Sequence, residues 1–252
     1  SSASFEDHCT QRLSYCAHQP IVRQTGSQNK CLSIAVFYGM FGEHAVSRRR
    51  LRVIISASRR TDIPRFFMDW MLNRLKEGYA LVRNPMCRTQ VSRVALGAGA
   101  VDCLAFWTKD PTPLLAQAAR LESAAPAPYF VQFTLNAYGA DVEAGLPRKA
   151  ELVETFRELA RLLGPERVVW RYSPILLGGS GGRYTEGHHL RYFETFARKL
   201  EGSTRACRLS FLDVYPKIAP RMRALGLFGV PEGRKAALAL RLAEIGAAHG
   251  ME

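Results

Sequence analysis

The stretch VIISASRRTDIP, residues 53–64, decides the fold of this chain. Its first half is apolar and β-branched, which predicts a buried strand over 53–58. Asp62 and Pro64 are residue types that begin a helix, because aspartate caps free backbone amides and proline fits the first turn. A buried strand that passes directly into a helix indicates an α/β fold. The polar cluster between the two elements raises the question of a site at the end of the strand.

The same alternation recurs along the chain. Apolar strand-like runs occupy 53–58, 79–83, 102–107, 129–135, 168–172 and 207–213. Amphipathic helical patterns occupy 63–78, 111–124, 147–164, 186–202 and 232–250. Strands that alternate with helices favour parallel strands joined by right-handed crossovers. No G-x-G-x-x-G and no Walker A sequence follows the first strand, so a nucleotide-binding doubly wound sheet is disfavoured.

We therefore predict an α/β fold of the TIM-like (β/α) barrel type over residues 53–252, partial, with about six β/α units. Residues 1–52 are rich in Ser, Gln, His and Cys and show no sustained period, which predicts a poorly ordered extension. Gly250 has the character of a helix C-cap, after which another strand is expected. On this pattern the barrel is expected to be C-terminally truncated.

The chain of 252 residues has a net charge of +13, from 35 Lys and Arg against 22 Asp and Glu. Two interpretations stay open: an arginine-rich surface without a specific role, or an anionic partner such as nucleic acid or a phosphorylated substrate. The six cysteines show no C-x-x-C spacing, which indicates neither a disulfide framework nor a metal site. They fit a reducing cytoplasm, and no apolar run is long enough to predict a membrane span.

Polar side chains follow every predicted strand. Because the carboxyl ends of parallel barrel strands meet at one mouth, we expect these side chains to share a pocket. The predicted catalytic residues are Asp62, Lys109 and Asp213. The predicted substrate-binding residues are Arg59, Arg60, Arg83, Asn84, Trp107, Thr108, Gln132, Thr134, Arg171, Tyr172 and Lys217. No metal ligands are predicted.

Cations outnumber carboxylates at these strand ends, which points to an anionic ligand such as a carboxylate, a phosphate or a nucleic acid backbone. Asp62 and Asp213 are candidates for orienting arginines or for proton transfer. Trp107 and Tyr172 are candidates for stacking on a planar ring. For single residues a structural role is an equal alternative, with Asp62 as a helix cap and Arg171 in a structural ion pair.

Two further motifs predict structure rather than chemistry. His188 and His189 begin a predicted helix, and the six histidines lack metal-ligand spacing, so a solvated or capping role is predicted. The glycine-rich GGSGG at 178–182 is followed by neither Lys-Ser nor Lys-Thr. This favours a flexible loop over the mouth rather than a phosphate cradle.

Six motifs occur in order along the chain: SASRRTDIP (56–64), VRNP (82–85), FWTKDP (106–111), QFTL (132–135), WRYSPILL (170–177) and SFLDVYPK (210–217). In this set the chain resembles the bacterial domain-of-unknown-function family eighteen-forty-eight. The resemblance implies a radical-SAM-like barrel, with a four-iron–four-sulfur cluster and S-adenosylmethionine in full-length members. Some relatives are labelled DNA repair photolyases.

The chain departs from the family pattern because it lacks the C-terminal cysteine cluster, and Ser173 stands where the family usually has Asp. We therefore expect no cofactor bound by this chain itself. Three functions stay open, and an enzyme is favoured. The first is a radical-SAM-related protein with an anionic ligand or substrate in a cationic pocket. The alternatives are a basic nucleic-acid-binding or repair-like protein, and a metal-free barrel enzyme that acts on a small anionic metabolite.

Overall fold

The computed structural model describes residues 35–39, 52–58 and 60–252, with only the backbone described for 35–39 and residue 52. Most of the extension predicted over 1–52 therefore lies outside the described residues. Within the part of the chain that is described, no helix combines the length and the apolar character needed to cross a bilayer.

Five parallel strands form the centre of the fold. Residues 52–56, 103–108, 129–134, 168–178 and 207–211 lie side by side in that order, and residues 35–39 pair antiparallel with 52–56 at one edge. Neighbours in the parallel sheet follow one another along the chain, as crossovers of a single hand produce. The strands of the described residues are β1 Ala35–Gly39, β2 Arg52–Ser56, β3 Tyr79–Arg83, β4 Val91–Ala95, β5 Cys103–Thr108, β6 Tyr129–Thr134, β7 Val168–Gly178, β8 Cys207–Phe211 and β9 Leu227–Gly229.

The sheet is a curled half-barrel, so the predicted TIM-like barrel of about six β/α units is wrong. The described strands leave the sheet open, with β1 at one edge and β8 at the other. The predicted second barrel strand, 79–83, stays outside this sheet. As β3 it forms an antiparallel hairpin with β4, in which Leu81 pairs with Arg93. In this hairpin β3 forms its backbone hydrogen bonds with the next strand along the chain, so it does not become the next strand of the parallel sheet. The fold is mixed α/β.

The helices lie close to the predicted patterns, with two divisions. The helices predicted over 63–78 and 111–124 are each two shorter helices, which meet at Phe67 and Gln117. The helix at 219–224 and the strands β1, β4 and β9 were not predicted. The helices of the described residues are α1 Ile63–Phe66, α2 Met68–Glu77, α3 Thr112–Ala116, α4 Ala118–Ala124, α5 Lys149–Leu163, α6 Glu186–Leu200, α7 Ala219–Ala224 and α8 Glu232–Ala248.

The two faces of the sheet have different coverings. The outer face packs on the helices: Phe133 of β6 stacks on Phe156 of α5, with ring centroids 5.2 Å apart and both rings fully buried. Burying one such side chain contributes about 1.5–3 kcal/mol, so the helical side supplies most of the core stability. The opposite side, called the inner face here, holds a smaller apolar cluster to which no described helix contributes. Its members are Ile54, Cys103, Ala105, Trp107, Phe130, Val169 and Ala206.

His188 and His189 are both buried, so the predicted solvated or capping role is wrong. The cap of α6 is Thr185, whose hydroxyl accepts from the His188 amide at 3.0 Å. The ring of His189 lies between two groups of β7, with Nδ1 2.8 Å from the Tyr172 hydroxyl and Nε2 2.8 Å from the Leu176 carbonyl. His189 therefore connects α6 to β7 of the sheet.

β7 takes part in two ladders. Its first half pairs with β6 and β8, and its last three residues pair antiparallel with β9. Between these halves the Ser173–Pro174 peptide bond is cis. The predicted GGSGG loop begins at the end of β7, where Gly178 has a φ of 95°. A Cβ there would lie 2.2 Å from the Gly226 carbonyl oxygen, so both the backbone angle and the close approach require glycine.

Candidate functional site

The inner face becomes polar toward the carboxyl ends of the strands. Residues that pair across parallel strands point to the same side, so the register defines rows of side chains on this face. In order toward the carboxyl ends, the rows are Ser56–Ala105–Phe130, then Trp107–Gln132–Val169, then Thr134–Arg171–Arg208. The candidate site is the polar end of this face.

Arg171 is at the centre of the last row. Its guanidinium lies over the Trp107 ring, 4.4 Å from the centroid. It donates to the hydroxyls of Thr134 at 3.4 Å and Ser173 at 3.3 Å. Arg208 pairs beside it on β8. None of the described carboxylates forms an ion pair with either arginine. Burial lowers the pKa of Arg171, as expected for a cation without a counter-ion.

Two buried polar atoms near the carboxyl ends of β2 and β5 have no hydrogen-bond partner among the described residues. They are Nε1 of Trp107 and the hydroxyl of Ser58, which follows β2. A buried polar group left unpaired costs about 1–3 kcal/mol, and most such groups in proteins are paired. Gln132 adds an amide in the same row as Trp107. This end of the inner face therefore offers unused donors next to uncompensated positive charge.

Ser173 is held in place by Asn136, which is almost fully buried. The Asn136 side-chain carbonyl accepts from the Ser173 amide at 2.7 Å, and its amide donates to the Ser173 carbonyl at 2.9 Å. The Ser173 hydroxyl is hydrogen-bonded to the hydroxyl of Ser210 on β8. These contacts fix the backbone directly after Arg171, which keeps its guanidinium over the indole ring.

Asp62 has a structural environment. Its Oδ1 accepts from the Arg65 amide at 3.1 Å, and its Oδ2 accepts from the Lys109 amide at 2.7 Å. Burial raises the pKa of Asp62, although these two backbone amides oppose the rise. The carboxylate thus caps α1 and ties the end of β2 to the end of β5.

The side chain of Lys109 is engaged by a buried carboxylate. Glu143 accepts from Lys109 and, at 2.6 Å, from Lys149, and the Asn136 amide donates to it at 3.0 Å. Burial would by itself raise the pKa of Glu143, but the two lysines outweigh it and hold that pKa below its usual range. One carboxylate between two ammonium groups leaves a net positive charge at this end of the sheet.

Two predicted binding residues lie on the other side of the sheet. Tyr172 and Thr108 follow Arg171 and Trp107 directly in their strands, and successive residues of a strand point to opposite faces. Tyr172 is buried against the helices with His189, and the Thr108 hydroxyl accepts from the next loop at 3.0 Å. Neither side chain shares the inner face with Arg171.

The remaining predicted residues are spread along the rim. Arg60 donates to the Arg83 carbonyl at 3.1 Å, which joins the first strand end to the hairpin. Asn84 accepts from the Met86 amide at 2.9 Å and so shapes the hairpin loop. Asp213 and Lys217 are exposed beyond β8, and Arg59 lies outside the described residues. Among the described residues, no hydrogen bond or ion pair joins the side chains of the three predicted catalytic residues, and Asp62 meets Lys109 only through the Lys109 backbone amide.

Several residues of the site were not predicted. Arg208 and Ser210 have the same parity along β8 as the inner-face positions, and that alternation was the available signal. Glu143 belongs to a loop between β6 and α5, and nothing in its local sequence marks it as the partner of Lys109. Its role depends on a contact between residues 34 positions apart.

The described residues do not fit an iron–sulfur cluster. Cys87 is exposed, Cys103 is buried and Cys207 is half-buried, and they lie on different elements. In the described ranges no three His, Cys, Asp or Glu side chains come together as a metal site. Such clusters are held by several cysteine thiolates, and the described residues do not bring such a group together.

The fold and the site together define an α/β half-barrel protein whose inner face ends in two arginines that form no ion pair with a described carboxylate. More particularly, the chain belongs to the family described as domain of unknown function (DUF1848), whose model matches residues 54–252. This confirms the resemblance carried by the six motifs. The chain matches no curated protein and no solved structure.

Proposed function

We propose that the inner face binds an anionic ligand with a planar group at the carboxyl ends of the strands. The observation that carries the proposal is the pair Arg171 and Arg208, side by side on one face without a described carboxylate partner. Two like charges in adjacent strands repel each other, and a bound anion relieves that repulsion. A carboxylate or phosphate also matches the two-pronged donor geometry of a guanidinium.

Trp107 supports a planar group in the ligand. One side of its ring is covered by Arg171, which stiffens both side chains. The indole Nε1–H is a buried donor with no described partner, so a ligand oxygen beside the ring would satisfy it. Gln132, which pairs with Trp107 in the same row, adds a side-chain amide next to the ring. These groups give the site orientation as well as charge.

Chemistry beyond binding is a further step of the proposal. The resemblance implies a radical-SAM-related enzyme, and the anion would then be a substrate or a cofactor carboxylate. A metal-free enzyme that acts on a small anionic metabolite would use the same arginines. In either case Arg171 would bind and orient the anion, and Ser173 and Asn136 would hold Arg171 in position.

The test is a calorimetric titration of the full chain with inorganic phosphate and, separately, acetate. Arg171→Gln should weaken binding of the preferred anion at least about tenfold, the loss expected for one charge-assisted contact. Arg167→Gln is a matched control, because Arg167 also lies over an aromatic ring, Tyr129, but has Glu122 as its partner. The control should bind within about twofold of wild type. Equal affinity in wild type and Arg171→Gln, or no binding of either anion by wild type, would refute the proposal.

One observation favours nucleic-acid binding as a second candidate. The β3–β4 hairpin and its loop, residues 79–95, contain three arginines and no acidic residue. On the exposed side of the ribbon Arg93 lies over Tyr79, 4.2 Å from the ring centroid, and Leu81 is 59% exposed. A two-stranded ribbon fits the major groove of DNA, and arginines bind its phosphates.

The second candidate is tested by fluorescence anisotropy with a labelled duplex at several salt concentrations. Replacing Arg88 and Arg93 together by Gln should reduce the slope of log affinity against log salt by about two. Replacing Arg157 and Arg161 on α5 removes the same charge from a helix and should change the slope little. If both double variants weaken binding equally, net charge rather than the hairpin is responsible.

A further inference from the structure

A second cationic groove lies on the helical side of the sheet. It has a volume of ≈ 320 Å³ and is lined by residues of α5, α6 and the β6–α5 loop, including residues 137–139. It belongs to the opposite side of the sheet from Arg171. Its volume lies at the lower end of the range for small-molecule sites, which is about 300–1,000 Å³.

The floor of the groove is aromatic. Tyr138 and Phe196 are buried there, and the ring of His188 lies 4.5 Å from that of Tyr192, which is 40% exposed. Nε2 of His188 donates to the Ala137 carbonyl at 2.9 Å. Burial lowers the pKa of His188, so the floor is neutral at pH 7. A neutral aromatic floor binds an apolar ring better than it binds a bare ion.

The rim of the groove is positively charged. Lys149, Arg183 and Lys199 line it, and none of the described residues that line it is acidic. Lys149 forms an ion pair with Glu143, but Glu143 also forms an ion pair with Lys109 and is almost fully buried. The ion pair therefore does not cancel the positive potential at the groove. Arg183 and Lys199 form no ion pair with a described carboxylate.

We propose that this groove binds a small aromatic anion, with the ring against the floor and a phosphate or carboxylate group against the cations of the rim. A volume of ≈ 320 Å³ suits a ligand of one ring better than a continuous chain such as a peptide or a nucleic acid strand. The neutral floor disfavours a simple inorganic ion. The site is independent of the anion site proposed for the inner face.

The probe is phenyl phosphate, with phenol and inorganic phosphate as its two halves, titrated into the full chain by calorimetry. Phenyl phosphate should bind at least about tenfold more tightly than either half, because only it uses both the floor and the rim. Equal affinity for inorganic phosphate would reduce the groove to a nonspecific cationic surface and overturn the proposal. No binding of phenyl phosphate at millimolar concentration would overturn it as well.

A matched pair of variants locates the binding. Ala150 lines the groove and is exposed, so Ala150→Glu puts a negative charge into it without disturbing the core. Leu162→Glu adds the same charge at an exposed position of the same helix, outside the groove. Ala150→Glu should weaken phenyl phosphate binding at least about tenfold, and Leu162→Glu less than about twofold. Equal effects of the two variants would mean that the probe senses only net charge.

A third variant separates this site from the inner face. Arg171→Gln should not change the affinity of the groove for phenyl phosphate, because Arg171 and Ala150 lie on opposite sides of the sheet. If Arg171→Gln abolishes phenyl phosphate binding and Ala150→Glu does not, the probe binds the inner face. That outcome would overturn the groove proposal while supporting the proposed function.

Discussion

Mild acid should destabilise this fold through His189. The side chain is fully buried between α6 and β7. A carbonyl oxygen can only accept, so Nε2 donates to Leu176 and Nδ1 accepts the hydroxyl proton of Tyr172. Both ring nitrogens are thus used by the neutral form. A second ring proton would meet the Tyr172 hydroxyl in a site without a described carboxylate partner.

The size of the effect follows from the pKa. Burial lowers the pKa of His189 from 6.5 to about 4. Above pH 6.5 the ring is neutral in both states, and the free energy of unfolding is unaffected. Below it the unfolded chain binds a proton that the folded chain refuses, so stability falls until pH about 4 is reached. At about 1.4 kcal/mol per pKa unit, the full loss is roughly 3 kcal/mol, of which about 2 kcal/mol is lost by pH 5.

The assay is urea unfolding at about pH 7.5 and pH 5, followed by tryptophan fluorescence. Other groups also titrate in this range, so the quantity of interest is the difference between wild type and His189→Gln. The variant should be less stable at pH 7.5 but should lose about 2 kcal/mol less than wild type on acidification. His249→Gln, at the end of α8, should keep most of the wild-type pH dependence. Equal acid losses in wild type and His189→Gln would refute the reasoning.

Two other substitutions test packing and charge. Gly178→Ala should destabilise the fold by about 3 kcal/mol, because its Cβ would lie 2.2 Å from the Gly226 oxygen at a φ of 95°; Gly181→Ala, with a φ of 64° and nothing within 4 Å, should cost only about 1 kcal/mol in the same urea assay. Glu143→Gln should cost about 2 kcal/mol, because its two lysines lose their common counter-ion while keeping part of their hydration. The lysines hold the pKa of Glu143 below 4.5, so wild type should lose its stability advantage over Glu143→Gln as the pH falls through that lowered pKa. The thermal unfolding temperatures of the two proteins should therefore converge at low pH. A Glu143→Gln protein as stable as wild type at neutral pH would contradict the account.

The sequence was sufficient to locate most strands and helices, but it did not reveal their pairing. Apolar runs and helical periods mark local structure, and every predicted strand and helix overlaps an observed element, although β7 continues beyond the predicted strand to Gly178. The run at 79–83 resembles the other strands, yet its partner is the alternating segment 91–95 in a hairpin. Strand pairing is a contact between segments, so no property of 79–83 alone distinguishes a hairpin from a barrel strand.

The candidate site was predicted by residue type and only partly by geometry. Arg171 and Tyr172 are adjacent in β7, so they cannot both point to one face of a regular strand. That alternation predicts Arg208, which pairs with Arg171 on the inner face, as a site residue instead of Tyr172. The capping alternative considered for Asp62 agrees with its contacts. The role of Glu143 could not be predicted, because a loop sequence does not determine which distant side chain its residues contact.

The double pairing of β7 has a consequence for hydrogen exchange. Its first half is covered on both edges by β6 and β8, and its last residues are held by β9, so most of its amides are released only by a large opening of the molecule. The β3–β4 hairpin lies outside that sheet and exchanges through a small local opening. Deuterium uptake should therefore be slower around Arg171 than in the hairpin. The proposed anion site would then persist through local openings that release the proposed DNA-binding ribbon.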